Sequence, residues 1–304
     1  MKTPLVSIAL CSYNGEKYVA EQLESIITQT YENLEIIVLD DCSTDSTPEI
    51  VRAYQARDPR VSLYRNEHNL GFNKNFERAV SLATGRFIAI SDQDDVWEPN
   101  KIQVLIDNIK DAWLIFSNSQ YMEADGTRTE RKLLKDFSLT GRNFKMLLLN
   151  NFVTGHTSMF TRELLDHALP FPDAGFYDWW MGFVALYHNR LAYVDRVLTR
   201  YRAHDGAVTS KSRLSPGEKH SYYFEMMCSQ LSTFVAYPEL QVKDRSYVER
   251  LNRALTLKRI RFSLPLFRMM LKDYDDLFSL IKRRKGLSRF NFARRFARAE
   301  TKYA

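Results

Sequence analysis

Four times in the first 110 residues, a short apolar run gives way to a longer segment with helical spacing. Val6 to Cys11 precedes a helical stretch around Glu16 to Gln29, and Leu34 to Leu39 precedes one after Pro48. Val61 to Tyr64 then leads into Phe72 to Ala83, and Phe87 to Ser91 into a helix after Pro99. Nearly continuous apolar strands that alternate with helices imply a mostly parallel sheet covered on both faces. Ligands of such sheets gather at the carboxyl ends of the strands. That rule places four polar stretches on one rim: SYNG (12–15), DDCSTD (40–45), RNEHNLG (65–71) and SDQDD (91–95).

Further along, the pattern becomes mixed. Leu114 to Ser117, Ser158 to Thr161 and Ala192 to Val197 read as strands, and Phe144 to Asn150 and the segment from Tyr177 read as helical. Beyond residue 210 the alternation stops. Ser215-Pro216-Gly217-Glu218 carries the serine, first-turn proline and third-position glutamate of a helix start, and everything after it reads helical. The expected organisation is therefore an α/β region over 1–210, with a nucleotide-binding half (1–95) and an acceptor half (96–210), followed by a helical, basic region over 211–304.

The acidic stretch is the hardest to explain as scaffold. Two carboxylates about 4 Å apart repel by ~4 kcal/mol in the intermediate dielectric of a cleft. The flanking Phe87, Ile88, Ile90, Val96 and Trp97 argue against full exposure, so Asp92, Asp94 and Asp95 need a cation or divergent partners. The plain alternative is a polar turn capping the helix that Pro99 starts, with Asp95 as the cap.

Motif absences narrow the chemistry. No GxGxxG follows the first strand, and neither GxxxxGK[ST] nor GxSxG occurs, which disfavours dinucleotide oxidoreductases, P-loop NTPases and serine hydrolases. What remains is a rim of carboxylates and amides. Asp40 and Asp41 can accept hydrogen bonds from a base edge or ribose hydroxyls, and Arg65 or Lys74 can offset phosphate charge. Asp92 and Asp94 suit a hard divalent cation that also takes phosphate oxygens.

The series CSYNGEKYVAEQLESIITQTY, VLDDCSTDST, NLGFNKNFERAVSLATGRFIAISDQDDVW, YDWW and YRAH resembles the family 2 nucleotide-sugar glycosyltransferases of the GT-A fold, over roughly residues 4 to 209. The SDQDDVW, GHTSMF, DWW and YRAH versions look most like the bacterial rhamnosyltransferase branch, which builds surface polysaccharides. The resemblance implies that Ser12, Tyr13 and Asp41 lie by the nucleobase, with Asp40 nearby. It also implies that Asp92 faces the ribose, that Asp94 and His204 bind Mg or Mn, and that Asp178 is the general base of an inverting transfer. The implied donor is dTDP-rhamnose, with a UDP-hexose as the alternative, and the implied acceptor is a glycan or lipid-linked oligosaccharide. Rival readings are a sugar-phosphate nucleotidyltransferase, which would need a Gly- and Arg-rich loop after the first strand, and a non-catalytic membrane-surface module. The chain departs from many relatives at Tyr177, where they carry an acid before Asp178, and at Cys42, where they carry glycine.

Charge is unevenly placed. The chain of 304 residues has a net charge of +6, yet residues 250–304 hold 16 lysines and arginines against four acids. Leu257, Ile260, Leu264, Phe267, Leu271, Tyr274, Phe278 and Ile281 recur at steps of three and four, so one helix, kinked or divided at Pro265, would align them in a stripe. In KRRKGLSRFNFARRFARAE, Phe290, Phe292 and Phe296 interleave with seven basic residues before Arg298. The expected partner of this tail is an anionic membrane, with packing on the catalytic region or on a second subunit of a homodimer as the alternatives. Nucleic acid has no role at the rim and is not expected as a partner. Three scattered cysteines, Cys11, Cys42 and Cys228, point to a reducing compartment. The N-terminus does not read as a secretory signal, and no apolar stretch approaches the ~20 residues of a membrane span. The expected location is cytoplasmic, peripheral at the inner face of the cell membrane.

Overall fold

The structure, a computed structural model, describes residues 3–139, 141, 143–206, 214–278 and 284–300. Its first half runs β1 (Val6–Ser12), α1 (Val19–Ile27), β2 (Leu34–Asp40), α2 (Thr47–Arg57), β3 (Val61–Arg65), α3 (Phe72–Leu82) and β4 (Phe87–Ser91). There follow β5 (Val96–Trp97), α4 (Lys101–Ile109), β6 (Leu114–Glu123), β7 (Arg128–Lys132), β8 (Ser158–Thr161), α5 (Arg162–Ala168), α6 (Tyr177–Tyr187) and β9 (Leu191–Ala203). The sheet order is β3-β2-β1-β4-β8-β6-β9-β5, with β7 paired to β6. Strands β1 to β4 are parallel, and β8 runs antiparallel between β4 and β6. The expected mixed, mostly parallel GT-A-type sheet flanked by helices is what forms.

Alternation along the strands builds two cores. Ile8, Leu10, Ile36, Val38, Phe87 and Ala89 face one layer with Leu23 and Ile26 of α1 and Ile102 and Leu105 of α4. Their neighbours Ala9, Cys11, Ile37, Leu39, Ile88 and Ile90 face the other, with Phe76 and Val80 of α3 and Trp179 and Phe183 of α6. A strand buried on both faces reads as a continuous apolar run for this reason.

Helices α7 (Pro216–Val235), α8 (Val242–Leu257), α9 (Leu264–Lys272), α10 (Tyr274–Leu277) and α11 (Gly286–Phe296) complete the described chain. Ser215 and Glu218 close the reciprocal capping box at the start of α7. The expected boundary near 210 lies outside the described residues, but the helices beyond it share the second core: Phe234 stacks on Phe183 at 4.1 Å, and Leu231 and Leu251 are fully buried.

The single apolar stripe does not form. Helix α8 ends at Leu257, the chain turns, and Ser263 caps α9 through Leu266 N (3.3 Å) with Pro265 in the first turn. A turn resets the helical phase, so Ile260 (73%) and Leu264 (46%) are exposed, while Leu266, Met270, Tyr274, Leu277 and Phe278 are buried. Leu257, Phe267 and Leu271 are half-buried. Ile281, Lys282 and Arg283 lie outside the described residues. Of the three tail phenylalanines, Phe292 and Phe296 turn inward onto Phe278 (4.9 and 5.2 Å), and Phe290 remains 44% exposed.

Candidate active site

Strand β1 has β2 on one side and β4 on the other, so the chain direction across the sheet reverses between β1 and β4. Such a switch point opens a crevice at the strands' carboxyl ends. Ser12 ends β1 and Ser91 ends β4, so SYNG and SDQDD form its two lips. Gln93 joins them: it accepts from Tyr13 N (2.9 Å) and donates to Tyr13 O (3.1 Å). Glycine makes room for this bridge, since a Cβ at Gly15 would lie 2.0 Å from Gln93 Oε1 and displace the Gln93 amide. The Tyr13 side chain stands 47% exposed on the rim.

The first carboxylate pair is engaged with protein donors. Asp40, fully buried, accepts from Ser43 N (3.0 Å), approaches Ser12 Oγ (3.4 Å) and pairs with Arg65 Nε (3.2 Å). Arg65 also donates to Ser43 O (2.6 Å), so both residues close the 40–45 loop. Asp41 accepts from Asn66 Nδ2 (2.6 Å), Leu70 N (2.8 Å) and Gly71 N (3.0 Å), pinning the loop that leads into α3. A carboxylate has about four acceptor sites, so Asp41 keeps about one for a ligand. Lys74 lies elsewhere: its ammonium contacts Glu77 (3.3 Å), Asp173 (3.1 Å) and Phe171 O (3.3 Å), which neutralises it away from the acidic loop. The phosphate-offsetting role read for Lys74 would require it to leave two carboxylates.

The acidic loop is the electrostatic centre. Burial, then Asp94 and Asp178, push the Asp92 carboxyl up to about 7. Asp94 Oδ2 lies 2.8 Å from His204 Nε2, whose ring rests on Tyr18 (4.9 Å). Asp95 is not the helix cap that the sequence suggested, since Asn100 occupies that place before α4. It is 1% exposed and accepts from Arg202 N (3.0 Å), and its Oδ2 is buried without a partner. Burial and the charges of Asp94 and Asp92 hold its carboxyl well above the usual range.

The YRAH segment supports this loop residue by residue. Tyr201 stacks on His156 (4.9 Å), and Arg202, 2% exposed, donates to Asp94 O (2.8 Å) and pairs with Glu21. His204 then meets Asp94. Sequence reasoning did not assign Arg202, His156 or Lys101. His156 sits 3.9 Å from Asp92, donates or accepts at Ser119 Oγ (3.1 Å), and is pushed down to about 3 by burial and Lys101, which keeps it neutral. Lys101 is fully buried, donates to His156 O (2.6 Å) and Thr199 Oγ1 (3.0 Å), and lies 3.6 Å over the Trp97 ring. Burial lowers its pKa, opposed by Asp95 and Asp92. One signal was present: a lysine at the first position of a helix opposes the helix dipole.

Asp178 stands in the first turn of α6. It accepts from Asn151 Nδ2 (3.2 Å), Gly155 N (3.2 Å) and Trp179 N (2.6 Å), yet burial outweighs these bonds and raises its carboxyl to about 6. Tyr177 brings its hydroxyl against Gly155, where a Cβ would lie 2.2 Å away. Asp178 adds to the upward push on Asp92, while Asp178 itself is raised by burial, and two raised carboxyls in one crevice are the arrangement expected of a proton acceptor facing a charged ligand site.

Asp92, Asp95 and His156 offer ligand atoms within 4.8 Å of one another. An orphaned buried carboxylate oxygen, a carboxyl pushed up to about 7 and a neutral imidazole fit a divalent cation, which would relieve all the repulsion at once. These three residues form a divalent-metal site of the Asp/His type, and the Asp94–His204 pair lies in the same loop region.

The sequence model of glycosyl transferase family 2 matches residues 7–169. An uncharacterized glycosyltransferase of Methanocaldococcus jannaschii is 30% identical over 235 residues, covering 73% of this chain and 79% of that protein. The Escherichia coli UDP-Glc:alpha-D-GlcNAc-diphosphoundecaprenol beta-1,3-glucosyltransferase WfgD is 29% identical over 237 residues, covering 77% and 88%. In fold, residues 1–349 of S. aureus TarS, solved with UDP-GlcNAc, superpose with a TM-score of 0.61 at 19% identity, covering 91% of this chain and 79% of that one. The family match spans both lips of the crevice and ends before Asp178, and the chain belongs to glycosyl transferase family 2, as an enzyme that takes its sugar from a nucleotide-sugar donor.

Proposed function

We propose that the protein moves a hexose from a UDP-sugar to a hydroxyl of a glycan or lipid-linked saccharide, with inversion at the anomeric carbon and Asp178 as general base. The observation that carries this reading is Asp178 itself: a carboxyl raised to about 6 at the N-terminus of α6, across the crevice from Asp92. A base with a pKa near the working pH accepts a proton from an attacking hydroxyl most effectively. Tyr13 and the remaining acceptor site on Asp41 would receive the nucleobase, and Asp92 the ribose. Asp94 and His204, with Asp92, Asp95 and His156 at hand, would hold Mg or Mn. When bound, that cation neutralises the negative charge that develops on the departing diphosphate. Arg202 keeps the ligating loop in place through Asp94 O and Asp95 Oδ1.

A UDP-hexose takes precedence over dTDP-rhamnose because the Escherichia coli relatives WfgD and WfaP are named as UDP-glucose enzymes, and TarS was solved with UDP-GlcNAc. Residues 1–210 would perform the transfer, and the helical region over 211–304 would hold the enzyme at an anionic membrane. No helix among the described residues is long and apolar enough to cross a membrane. Support for the peripheral reading comes from α11, where Leu287 (81%) and Phe290 (44%) are exposed on the same face as Arg294.

The experiment is a thermal-unfolding panel with UDP-glucose, UDP-GlcNAc, UDP-galactose and dTDP-rhamnose, each with and without Mn. A UDP-sugar is expected to raise Tm by a few degrees in a metal-dependent way, because binding to the native state adds its own free energy to stability. Protection by dTDP-rhamnose alone would reverse the donor assignment.

A further inference from the structure

At the far end of α6 from Asp178, two imidazoles and a carboxylate converge from three separate elements. His167 stands in the last turn of α5, His188 caps the C-terminus of α6, and Glu239 lies in the turn between α7 and α8. Glu239 serves both rings: His167 Nδ1 is 2.8 Å from its Oε1, and His188 Nε2 is 3.3 Å from its Oε2. The ligand atoms of all three lie within 4.8 Å of one another. We propose that His167, His188 and Glu239 form a second metal site, selective for zinc or a comparable borderline cation, that staples the α7–α8 turn to α5 and α6.

The donor set decides the metal class. Two imidazole nitrogens and one carboxylate are a zinc-type set, whereas magnesium and calcium take oxygen ligands throughout. That separates this trio from the carboxylate-rich crevice. Trp113 orients both rings, stacking on His167 at 4.3 Å and lying against His188 at 4.9 Å. Tyr237 Oη, 2.9 Å from His188 Nε2, is placed to turn to Glu239 once that nitrogen ligates. Outer contacts that fix ring orientation are what make a set of donors a site. Burial holds His188 below its ordinary pKa, so the ring is neutral and carries a lone pair at neutral pH. His167 and His188 are each about a quarter exposed and Glu239 39%, which leaves an entry path and a fourth position for water. The metal-free alternative is a hydrogen-bonded trio that performs the same stapling.

The test strips the protein with chelator, adds zinc, removes excess by gel filtration, and measures retained zinc and Tm for the wild type, Glu239→Gln, His167→Gln and Asp94→Asn. The expected result is one zinc retained by the wild type and by Asp94→Asn and lost by both staple variants. In a separate measurement with free zinc held at roughly a hundredfold over its dissociation constant, the wild-type Tm should rise by about 5 °C more than that of either staple variant. Two staple variants at different elements guard against one that misfolds. Zinc retained by Glu239→Gln and His167→Gln but lost by Asp94→Asn would place it in the crevice and overturn the proposal. No retained zinc in any protein would leave the hydrogen-bonded trio as the correct description and overturn it equally.

Discussion

At the crevice, Asp92, Asp94, Asp95 and Lys101 occupy ten consecutive positions, and Asp95 and Lys101 are essentially fully buried without forming an ion pair with each other. Along α9 and α11 the charges are sparser and of one sign, and Arg268, Arg294 and Arg295 are exposed, while Arg289 pairs with Asp275 (2.6 Å). In the helical region the apolar groups do the packing and the charges remain in water, where each costs little. In the crevice Asp95 and Lys101 are inside, and their carboxyl and ammonium are pushed towards their neutral forms, a cost that a bound cation would offset for the carboxylates. The contrast separates residues kept for chemistry from residues kept for solubility or surface contact.

The strongest way to break that contrast is Asp94→Asn. If the acidic loop exists to hold a divalent cation, this variant should lose roughly 10³-fold in metal-dependent turnover, corresponding to about 4 kcal/mol of charge stabilisation. UDP release with a glycan acceptor and Mn is the measurement. Asp95→Asn should also lose activity, by about tenfold, because its buried carboxylate anchors Arg202 N and does not cap a helix. Turnover of Asp94→Asn within threefold of wild type, or equal wild-type turnover with and without chelator, would return the loop to a structural role.

Next in size is Asp178→Asn, expected to keep donor binding and lower turnover by about 10²-fold, the lower range for general-base catalysis. The wild-type rate should rise with pH through about 6, where the carboxyl gives up its proton, and fall away below it. That limb should vanish in the variant. A surviving limb would assign it to Asp92 or another group, and near-normal transfer would make Asp178 a helix-end residue.

How much of this was legible depends on whether each signal is local. The βα alternation and the strand at Phe87 to Ser91 could be read directly, because a strand buried on both faces leaves a continuous apolar run. The capping box at Ser215 is contained in four residues and was equally legible. Strand β7, RTERK, could not be read, since it carries no apolar face and pairs at the edge of β6. The stripe from Leu257 failed because a turn resets helical phase and periodicity does not reveal the reset. At the site, Asp92, Asp94 and Asp178 were visible as acids in apolar company. His156 and Lys101 were hidden because their roles depend on contacts 55 and 98 residues away in sequence.

The exposed arginines of α11 sharpen the other side of the contrast. Replacing both Arg294 and Arg295 by glutamine should weaken binding to anionic vesicles by about thirtyfold, since each basic residue near such a surface contributes about 1 kcal/mol. Tm should stay within a degree or two, as both side chains are exposed. Deleting residues 282–304 is a poorer test. Ala293 and Ala297 are fully buried, Ala297 O accepts from Ser263 N (3.0 Å), and Glu300 pairs with Lys258, so truncation would open the helical core. Unchanged vesicle binding by the double variant would rule α11 out as the anchor.

The smallest expected effect is thermodynamic and tests whether the crevice carboxylates are strained at all. Asp92 and Asp178 are raised to about 7 and about 6, and Asp95 is raised as well, whereas in the unfolded chain all three titrate near the ordinary carboxylate value. Between about pH 4 and pH 7 the folded protein therefore holds more protons than the unfolded one. Stability contributed by these groups is fully present at the acid end and is lost as pH rises through that window. Asp92 keeps 39% of its side-chain exposure, so solvent screening limits the effect to a few degrees in Tm. Metal binding needs the deprotonated carboxylates and should act in the opposite sense, stabilising more at pH 8 than at pH 5.5. The measurement is Tm at both values with Mn and with chelator, for the wild type and Asp92→Asn. With chelator, the wild type should lose more Tm than Asp92→Asn on going from pH 5.5 to 8, and Mn should restore the difference. Identical pH profiles for the two proteins would mean that water already neutralises the loop, and the distinction between the crevice and the helical region would then rest on geometry alone.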